Sequence, residues 1–183
     1  MAEKILFITS NRLGDAVLST AVMANLLDRY PQAQVTVACG PLPAPLFANM
    51  PRLHSLIPMA KRPRGGHWWR LWRAVVGQNW DLVVDLRDSI VSRTVMAKKR
   101  LIFRALPDEA GRHKVDQFAE KLGLQMPLQP RLWFTEEQDR AAREHMKPEL
   151  GPILAVGPAA NWAGKEWPMA RYQALIATLT APD

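Results

Sequence analysis

Short apolar runs alternate with stretches of helical length through most of this chain, and that alternation limits the possible folds more than any other feature. Strand-like runs lie at residues 4–9, 35–38, 55–58, 81–86, 100–103 and 132–134. Helical stretches lie at residues 15–29, 44–49, 68–76, 89–97, 115–122 and 136–146. Such apolar runs are typical of parallel strands covered on both faces, with helices as the crossovers between them. The sequence therefore predicts an α/β fold, a parallel sheet with helices on both faces.

A possible domain boundary follows the last of these helices. Residues 147–152 have the Pro and Gly content of a linker. A strand at 153–156 and a helix at 169–179 then begin the β-loop-α pattern again. Because one such unit cannot cover both faces of its strand, we expect a first domain over residues 1–147. Residues 148–183 would hold a linker and the first unit of a second domain that is only begun.

The composition excludes several classes of protein. With 48% hydrophobic and 22% charged residues, the chain can bury a core, which excludes intrinsic disorder as its main state. No apolar run reaches the roughly 18 residues of a membrane span. The single Cys39 excludes an intrachain disulfide and fits a reducing cytoplasm. We therefore expect a cytoplasmic protein. Since no Cys/His cluster has zinc spacing, we also expect no metal.

Basic residues are concentrated in residues 61–104, which carry eleven of them against three aspartates. Because the whole chain has a formal charge of only +7, the excess is local and indicates an anionic partner. Lipid phosphate, nucleic acid and sugar phosphate all fit, and so does a solvated surface. The segment also contains tryptophans, which suit a membrane interface, stacking on bases or a core. These aromatic residues are Trp68, Trp69, Trp72 and Trp80.

The loop after the first predicted strand, residues 10–14, enters a helix. In an open α/β sheet, ligands bind beyond the carboxyl ends of the strands, which is where this loop lies. Gly14 permits close approach of a ligand to the backbone, and a helix N-terminus favours anions. Asp15 would either direct a carboxylate into this cleft or cap the helix, a common role of Asp.

A second loop of the same kind precedes the helix predicted at 169–179. Lys165 in this loop is either a phosphate ligand beside the helix N-terminus or a solvated lysine. Pro168 suits the first helical turn. The sequence shows no paired carboxylates at catalytic spacing, no D-x-D for a nucleotide-bound metal and no G-x-G-x-x-G fingerprint.

Four segments taken together resemble family 9 of the glycosyltransferases, the heptosyltransferases of lipopolysaccharide core assembly. They match in family order along the whole chain. They are KILFI at 4–8 with LGDAVLST at 13–20, DLVVDLR at 81–87, HKVD at 113–116, and KEWP at 165–168 with Arg171 and Tyr172.

The resemblance implies a GT-B architecture, two Rossmann-like domains with a cleft between them. It implies inverting transfer of heptose from ADP-heptose to an anionic, lipid-linked saccharide at the inner membrane, without metal or nucleic acid. Asp15 matches the catalytic aspartate and Lys165 the lysine at the donor phosphates, with Gly14 and Asn161 beside the donor. The expected acceptor-binding residues are Lys61, Arg62, Arg64, Arg70, Arg73 and Arg87.

The short second domain leaves alternatives to this activity. If 183 residues were the whole product, donor binding would be compromised, and the chain alone would show little transfer. A truncated or inactive family member would then act as an anion-binding or glycolipid-binding domain. A nucleic-acid-binding module is supported by charge alone.

Overall fold

The chain divides into two compact units, residues 1–136 and 137–183. A computed structural model describes residues 3–104, 111–146, 153–160 and 162–180. The linker predicted at 147–152 lies outside these ranges, so the proposed boundary at residue 147 stays a prediction.

The first unit is built on a parallel sheet of five strands, as predicted. The order across the sheet is β3-β2-β1-β4-β5, and every adjacent pair is parallel. The strands are β1 (Lys4–Ile8), β2 (Gln34–Cys39), β3 (Leu53–Pro58), β4 (Trp80–Asp85) and β5 (Ala97–Ile102). The helices of this unit are α1 (Leu13–Arg29), α2 (Pro45–Ala48), α3 (Gly66–Val75), α4 (Val91–Thr94) and α5 (Lys114–Leu122).

Helices cover both faces of this sheet because alternate strand residues point to opposite sides. Ile5 and Phe7 join a core cluster that contains residues of α1 and α5. Leu6 and Ile8 join a second cluster with residues of α3 and α4. All four side chains are essentially inaccessible to solvent. The central strand is therefore apolar on both faces, as its continuous hydrophobic run indicates.

The helix predicted at 89–97 is wrong in length. Only Val91–Thr94 is helical, and Ala97 already belongs to β5. The carbonyl of Met96 accepts the Trp80 N–H at 3.0 Å, so the hydrogen bonds between β4 and β5 already begin at Met96. In the preceding turn, the Ser92 hydroxyl donates to the Ser89 carbonyl at 2.9 Å, a local alternative to continued helix.

The predicted helix after β5 is confirmed, and its ends follow known capping rules. The side chain of His113 accepts the Val115 N–H, so this histidine is the N-cap. Gly123 ends the helix in the left-handed region at φ 62°, where glycine carries no Cβ penalty.

Helices α6 (Glu136–Met146) and α7 (Met169–Leu179) have the predicted bounds. The strands predicted at 132–134 and 153–156 are wrong, because neither segment pairs with a neighbour among the described residues. A parallel strand is defined by its ladder to a neighbour, which an apolar run alone does not supply. Within the described ranges, no helix is both long and apolar enough to cross a membrane.

Candidate functional site: a basic cleft at the sheet switch point

The sheet order reverses beside β1, because the chain moves from β1 to β2 on one side and places β4 on the other. Loops that leave β1 and β4 therefore diverge at the carboxyl edge, where such folds bind ligands. A cleft of about 360 Å³ opens there. It is lined by Thr9, Ser10, Asn11, Arg12, Asp15, Lys61, Leu86, Arg87, Lys114 and Phe118.

The loop after β1 is fixed against the loop after β2. The Gly40 N–H donates to the Ser10 carbonyl at 3.2 Å. A Cβ on Gly40 would lie 2.6 Å from the Cα of Asn11, so only glycine fits this approach. The loop that lines one wall of the cleft is therefore positioned by backbone packing.

Asp15 lies in the first turn of α1 and is exposed to the cleft. The N-cap residue is Arg12, so the alternative that Asp15 caps the helix is wrong. The Ser10 hydroxyl donates to Asp15 Oδ2 at 3.4 Å and accepts the Arg12 N–H at 3.0 Å. A carboxylate in this turn is favoured by the positive end of the helix dipole. The structure therefore presents an accessible carboxylate that is held by one hydroxyl.

Gly14 precedes this carboxylate in the same turn. An added Cβ at Gly14 would meet no atom of the protein within 4 Å. The space above the first turn of α1 is therefore open, as a ligand close to the backbone would require.

Asp85 organises the loop after β4. Its carboxylate is fully buried and accepts the Arg87 N–H at 2.8 Å, the Ser89 N–H at 2.7 Å and the Ser89 hydroxyl at 2.6 Å. The Arg87 guanidinium reaches the cleft and lies 5.7 Å from the ring centroid of Trp68. Asp85 thus has a structural role and fixes the backbone from which Arg87 extends.

Four cations and one carboxylate line the cleft. The cations are Arg12, Lys61, Arg87 and Lys114. Sequence reasoning missed Arg12 and Lys114 as site residues. The parallel topology was the available signal, because the N-termini of α1 and α5 both follow strands that end at this edge. Lys114 Nζ lies 4.5 Å from the ring centroid of Phe103, which holds the ammonium group beside an aromatic face.

The other predicted acceptor-binding residues lie outside the cleft. Arg62 and Arg70 line a shallow depression that also contains His67. Arg64 has a left-handed backbone with φ 52° in the turn before α3, and Arg73 is exposed on α3. The structure brings Lys61 and Arg87 to the same cleft as Asp15 but does not bring these four arginines there.

The basic residues nearer β5 have partners within the protein. Arg93 and Arg104 both pair with Asp88, and Arg104 Nε lies 2.9 Å from its carboxylate. Hydrogen bonds from Arg93 and then Arg104 lower the pKa of Asp88. Arg100 donates to the carbonyl oxygens of residues 92, 95 and 97. These guanidinium groups serve the fold of the loop.

The loop around Lys165 belongs to the second unit. Lys165 ends a short 3₁₀ turn, Ala163–Lys165, and its side chain is exposed. The Ala160 N–H donates to Glu166 Oε1 at 3.4 Å, and the rings of Trp167 and Tyr172 meet edge to face. Asn161, the other predicted donor contact, lies outside the described residues.

Residues 102–182 match glycosyltransferase family 9 (heptosyltransferase). A lipooligosaccharide heptosyltransferase 2 of Haemophilus ducreyi is 32% identical over 106 residues, which are 55% of this chain and 30% of that protein. The chain thus spans less than a third of the length of this curated relative.

Solved structures show the same fold. A glycosyl transferase family 9 protein from Veillonella parvula superposes with a TM-score of 0.72 at 18% identity, over 97% of this chain and 60% of that one. The ADP-heptose lipopolysaccharide heptosyltransferase II of E. coli gives 0.66 at 23% identity, over 96% and 61%. The fold is therefore the Rossmann-like α/β arrangement of GT-B proteins, and residues 102–182 are similar to glycosyltransferase family 9, the heptosyltransferase family.

Proposed function

We propose that this chain carries the acceptor side of a glycosyltransferase that moves heptose from ADP-heptose to an anionic, lipid-linked saccharide of the lipopolysaccharide core. The observation that carries the proposal is the cleft at the switch point, where Asp15 stands alone among four cations. A carboxylate among cations suits an acceptor that is itself anionic and has one hydroxyl to be deprotonated.

In the proposed step, the acceptor hydroxyl attacks the anomeric carbon of the donor sugar from the face opposite to ADP. A new C–O bond forms, the bond from the anomeric carbon to the diphosphate oxygen breaks, and its electron pair leaves with ADP. Asp15 takes the hydroxyl proton. The transfer therefore inverts the anomeric centre, and general-base assistance of this kind is worth about 10²–10⁴ in rate.

The cleft cations would hold the acceptor. Arg87 and Lys61 reach the cleft from the loops after β4 and β3, and Arg12 and Lys114 reach it from the starts of α1 and α5. Arginine binds phosphate or carboxylate with two parallel hydrogen bonds, whereas lysine acts as a point charge. Such a set suits a saccharide that carries more than one negative group.

The second unit would contribute to donor binding. In the proposal, Lys165 offsets the charge that develops on the departing diphosphate, a role that protein cations can fill without a bound metal. Its place beside the start of α7 supports this assignment, because helix N-termini favour phosphate. Gly14 and Asn161 are proposed donor contacts by the family resemblance.

The substitution Asp15→Asn tests the base assignment. We expect transfer from ADP-heptose to fall at least about 100-fold, while the thermal unfolding midpoint changes little, because Asp15 is exposed and is not the N-cap. The control is Asp28→Asn, which removes an exposed aspartate of the same helix together with its ion pair to Arg131. Wild-type turnover in Asp15→Asn would refute the base assignment. Acceptor binding without turnover in the wild-type protein would favour the alternative of a glycolipid-binding domain.

The substitution Lys165→Ala tests the donor side. We expect weaker binding of ADP-heptose, measured by calorimetry, with acceptor affinity unchanged. The control is Arg171→Ala, an exposed cation in α7. If acceptor affinity fell instead, the donor would have been placed on the wrong unit.

A further inference from the structure

Two hydroxyl side chains that line the cleft beside Asp15 send their protons to different acceptors. Thr9 Oγ1 donates to Ser19 Oγ at 2.8 Å, and the Ser19 hydroxyl donates to the Ala16 carbonyl at 2.7 Å. Because a carbonyl oxygen can only accept, the direction of both hydrogen bonds is fixed. The Thr9 proton is therefore directed into the protein, and of the two hydroxyls only that of Ser10 is left to donate to the carboxylate.

The position of the Ser10 hydroxyl is set by the backbone around it. Its oxygen accepts the Arg12 N–H at 3.0 Å, a local bond that serine forms where a helix begins. The Ser10 carbonyl accepts the Gly40 N–H at 3.2 Å, which ties the residue to the loop after β2. Its proton is then available to Asp15 Oδ2, which lies 3.4 Å from the hydroxyl oxygen. Catalytic hydrogen bonds are often long in the free protein and tighten when substrate binds.

The second carboxylate oxygen of Asp15 has no such partner. Within the described residues, Oδ1 makes no hydrogen bond and no ion pair, although several cations line the same cleft. An unrestrained aspartate turns readily about its last side-chain bond, so either oxygen could face a ligand. A hydrogen bond to Oδ2 removes this freedom and leaves Oδ1 as the oxygen that can take a proton.

We propose that Ser10 is a positioning residue for transfer: by holding Oδ2, it makes Oδ1 of Asp15 the atom that removes the acceptor proton. The acceptor O–H bond breaks, its proton bonds to Oδ1, and the acceptor oxygen uses its electron pair to form the new C–O bond. ADP leaves with the electron pair of the broken donor bond. In this role Ser10 acts through Asp15. The inference rests on the proposed function, because that function makes Asp15 the base.

The first test reads the contact in the free protein, without substrate. Carbon-13 NMR of the full chain with labelled aspartate carboxyl groups gives a signal for Asp15, identified by its loss in Asp15→Asn. We expect this signal to move in Ser10→Ala and to keep its wild-type position in Ser10→Thr, which retains the hydroxyl. The signal of Asp28, in the same helix, should stay in place in both variants. An Asp15 signal that is unchanged in Ser10→Ala, or moved equally by both substitutions, would overturn the proposal.

The second test separates kcat from KM in the transfer assay. Ser10→Ala should lower kcat about tenfold, within the loss of about 10²-fold that a misplaced reacting group can cause. The KM values for ADP-heptose and for the acceptor should change less than about twofold, because the lost hydroxyl is engaged by Asp15 and the Arg12 N–H. Ser10→Thr should restore kcat, and the control Ser55→Ala, a half-buried serine of β3, should leave it unchanged. A rise in KM with wild-type kcat would mean that Ser10 binds a substrate instead.

A double variant shows whether Ser10 acts through Asp15. Residues that act as one unit do not have additive effects, so Ser10→Ala should cause no further loss of kcat when Asp15→Asn is already present. A further loss as large as that of the single variant would refute the positioning role. Circular dichroism establishes that each variant is folded.

The outcomes distinguish this proposal from the function on which it rests. If Asp15→Asn abolishes transfer while the Asp15 signal does not respond to Ser10, the base assignment stands and the positioning role is refuted. If Asp15→Asn keeps wild-type turnover, the base assignment is refuted, and the role of Ser10 in proton transfer is refuted with it. The NMR test needs no turnover, so it decides the contact between Ser10 and Asp15 even in a chain that transfers no sugar.

Discussion

Two stretches of one basic segment differ in whether their basic side chains are paired within the protein. Residues 61–73 carry five basic side chains that form no ion pair within the described ranges. Residues 93–104 also carry five, and four of them bind carboxylates or backbone carbonyls of the same loop region. We refer to these as the free stretch and the paired stretch. Two stretches with the same number of basic residues therefore differ in how many of those charges are available to an external anion.

The difference depends on what lies within reach of each cation. The paired stretch has Asp81 and Asp88 beside it and the open carbonyls of the short α4 turn. The free stretch lies within a run of sequence that has no acidic residue. Exposed ion pairs contribute little stability but do remove charge from the surface. The free stretch, together with Arg87, is therefore the part of the basic segment that should bind an external anion most strongly.

The loop at residues 85–89 lies between the two stretches in the sequence. Loss of the hydrogen bonds that hold this loop should therefore alter the structure next to both stretches. In Asp85→Ala, two backbone N–H groups and a hydroxyl lose a buried carboxylate. We expect a loss of about 3 kcal/mol in the free energy of unfolding, measured by urea denaturation, because charged hydrogen bonds are worth about 1.5–3 kcal/mol each and are not additive. Asp85→Asn should lose less, since its amide oxygen can still accept. Wild-type stability in Asp85→Ala would show that the loop is held by other contacts.

The contrast between the stretches is tested most directly by binding of a polyanion. Dextran sulfate keeps its charge across the accessible pH range and needs no specific sugar. In Lys61→Ala with Arg87→Ala we expect affinity to fall about tenfold, since each removes a charge-assisted contact. In Lys98→Ala with Arg104→Ala we expect less than about a twofold change, because both cations are already paired. Equal losses in the two double variants, measured by fluorescence anisotropy, would mean that only total charge matters.

The parallel sheet could be predicted from sequence because its central strands, β1, β2 and β4, are mostly apolar runs buried on both faces. The C-terminal ends of α1 and α5 followed from local signals, Tyr30-Pro31 and Gly123. The turn around α4 could not be predicted, because its length is decided by contacts from outside the segment. Asp85 captures Ser89, and the Met96 carbonyl pairs with Trp80.

The candidate site was only partly predictable for a similar reason. Asp15 was identified by its position after a strand and by resemblance. That Arg12, and not Asp15, is the N-cap of α1 became clear only from the backbone conformation. Lys114 was part of a matched segment, yet its place in the cleft depends on how α5 packs beside α1. Which arginines are free and which are paired could not be read from spacing, because Asp88 pairs with Arg104, which follows it in the chain only after the whole of β5.

The smallest expected effect comes from converting part of the paired stretch into a free one. Asp88 adopts φ 50°, a conformation that asparagine also tolerates, so Asp88→Asn should keep the turn while releasing Arg93 and Arg104. We expect affinity for dextran sulfate at pH 7 to rise about threefold.

The pKa of Asp88 is lowered by Arg93 and Arg104, so its ion pairs are fully formed above the ordinary carboxyl range and are lost as pH falls through the lowered pKa. The affinities of wild type and Asp88→Asn should therefore converge in acid, where the wild-type carboxyl is protonated and both arginines are released in either protein. A gap that persists below that pKa would mean that the substitution acts on the shape of the loop and not on its charge.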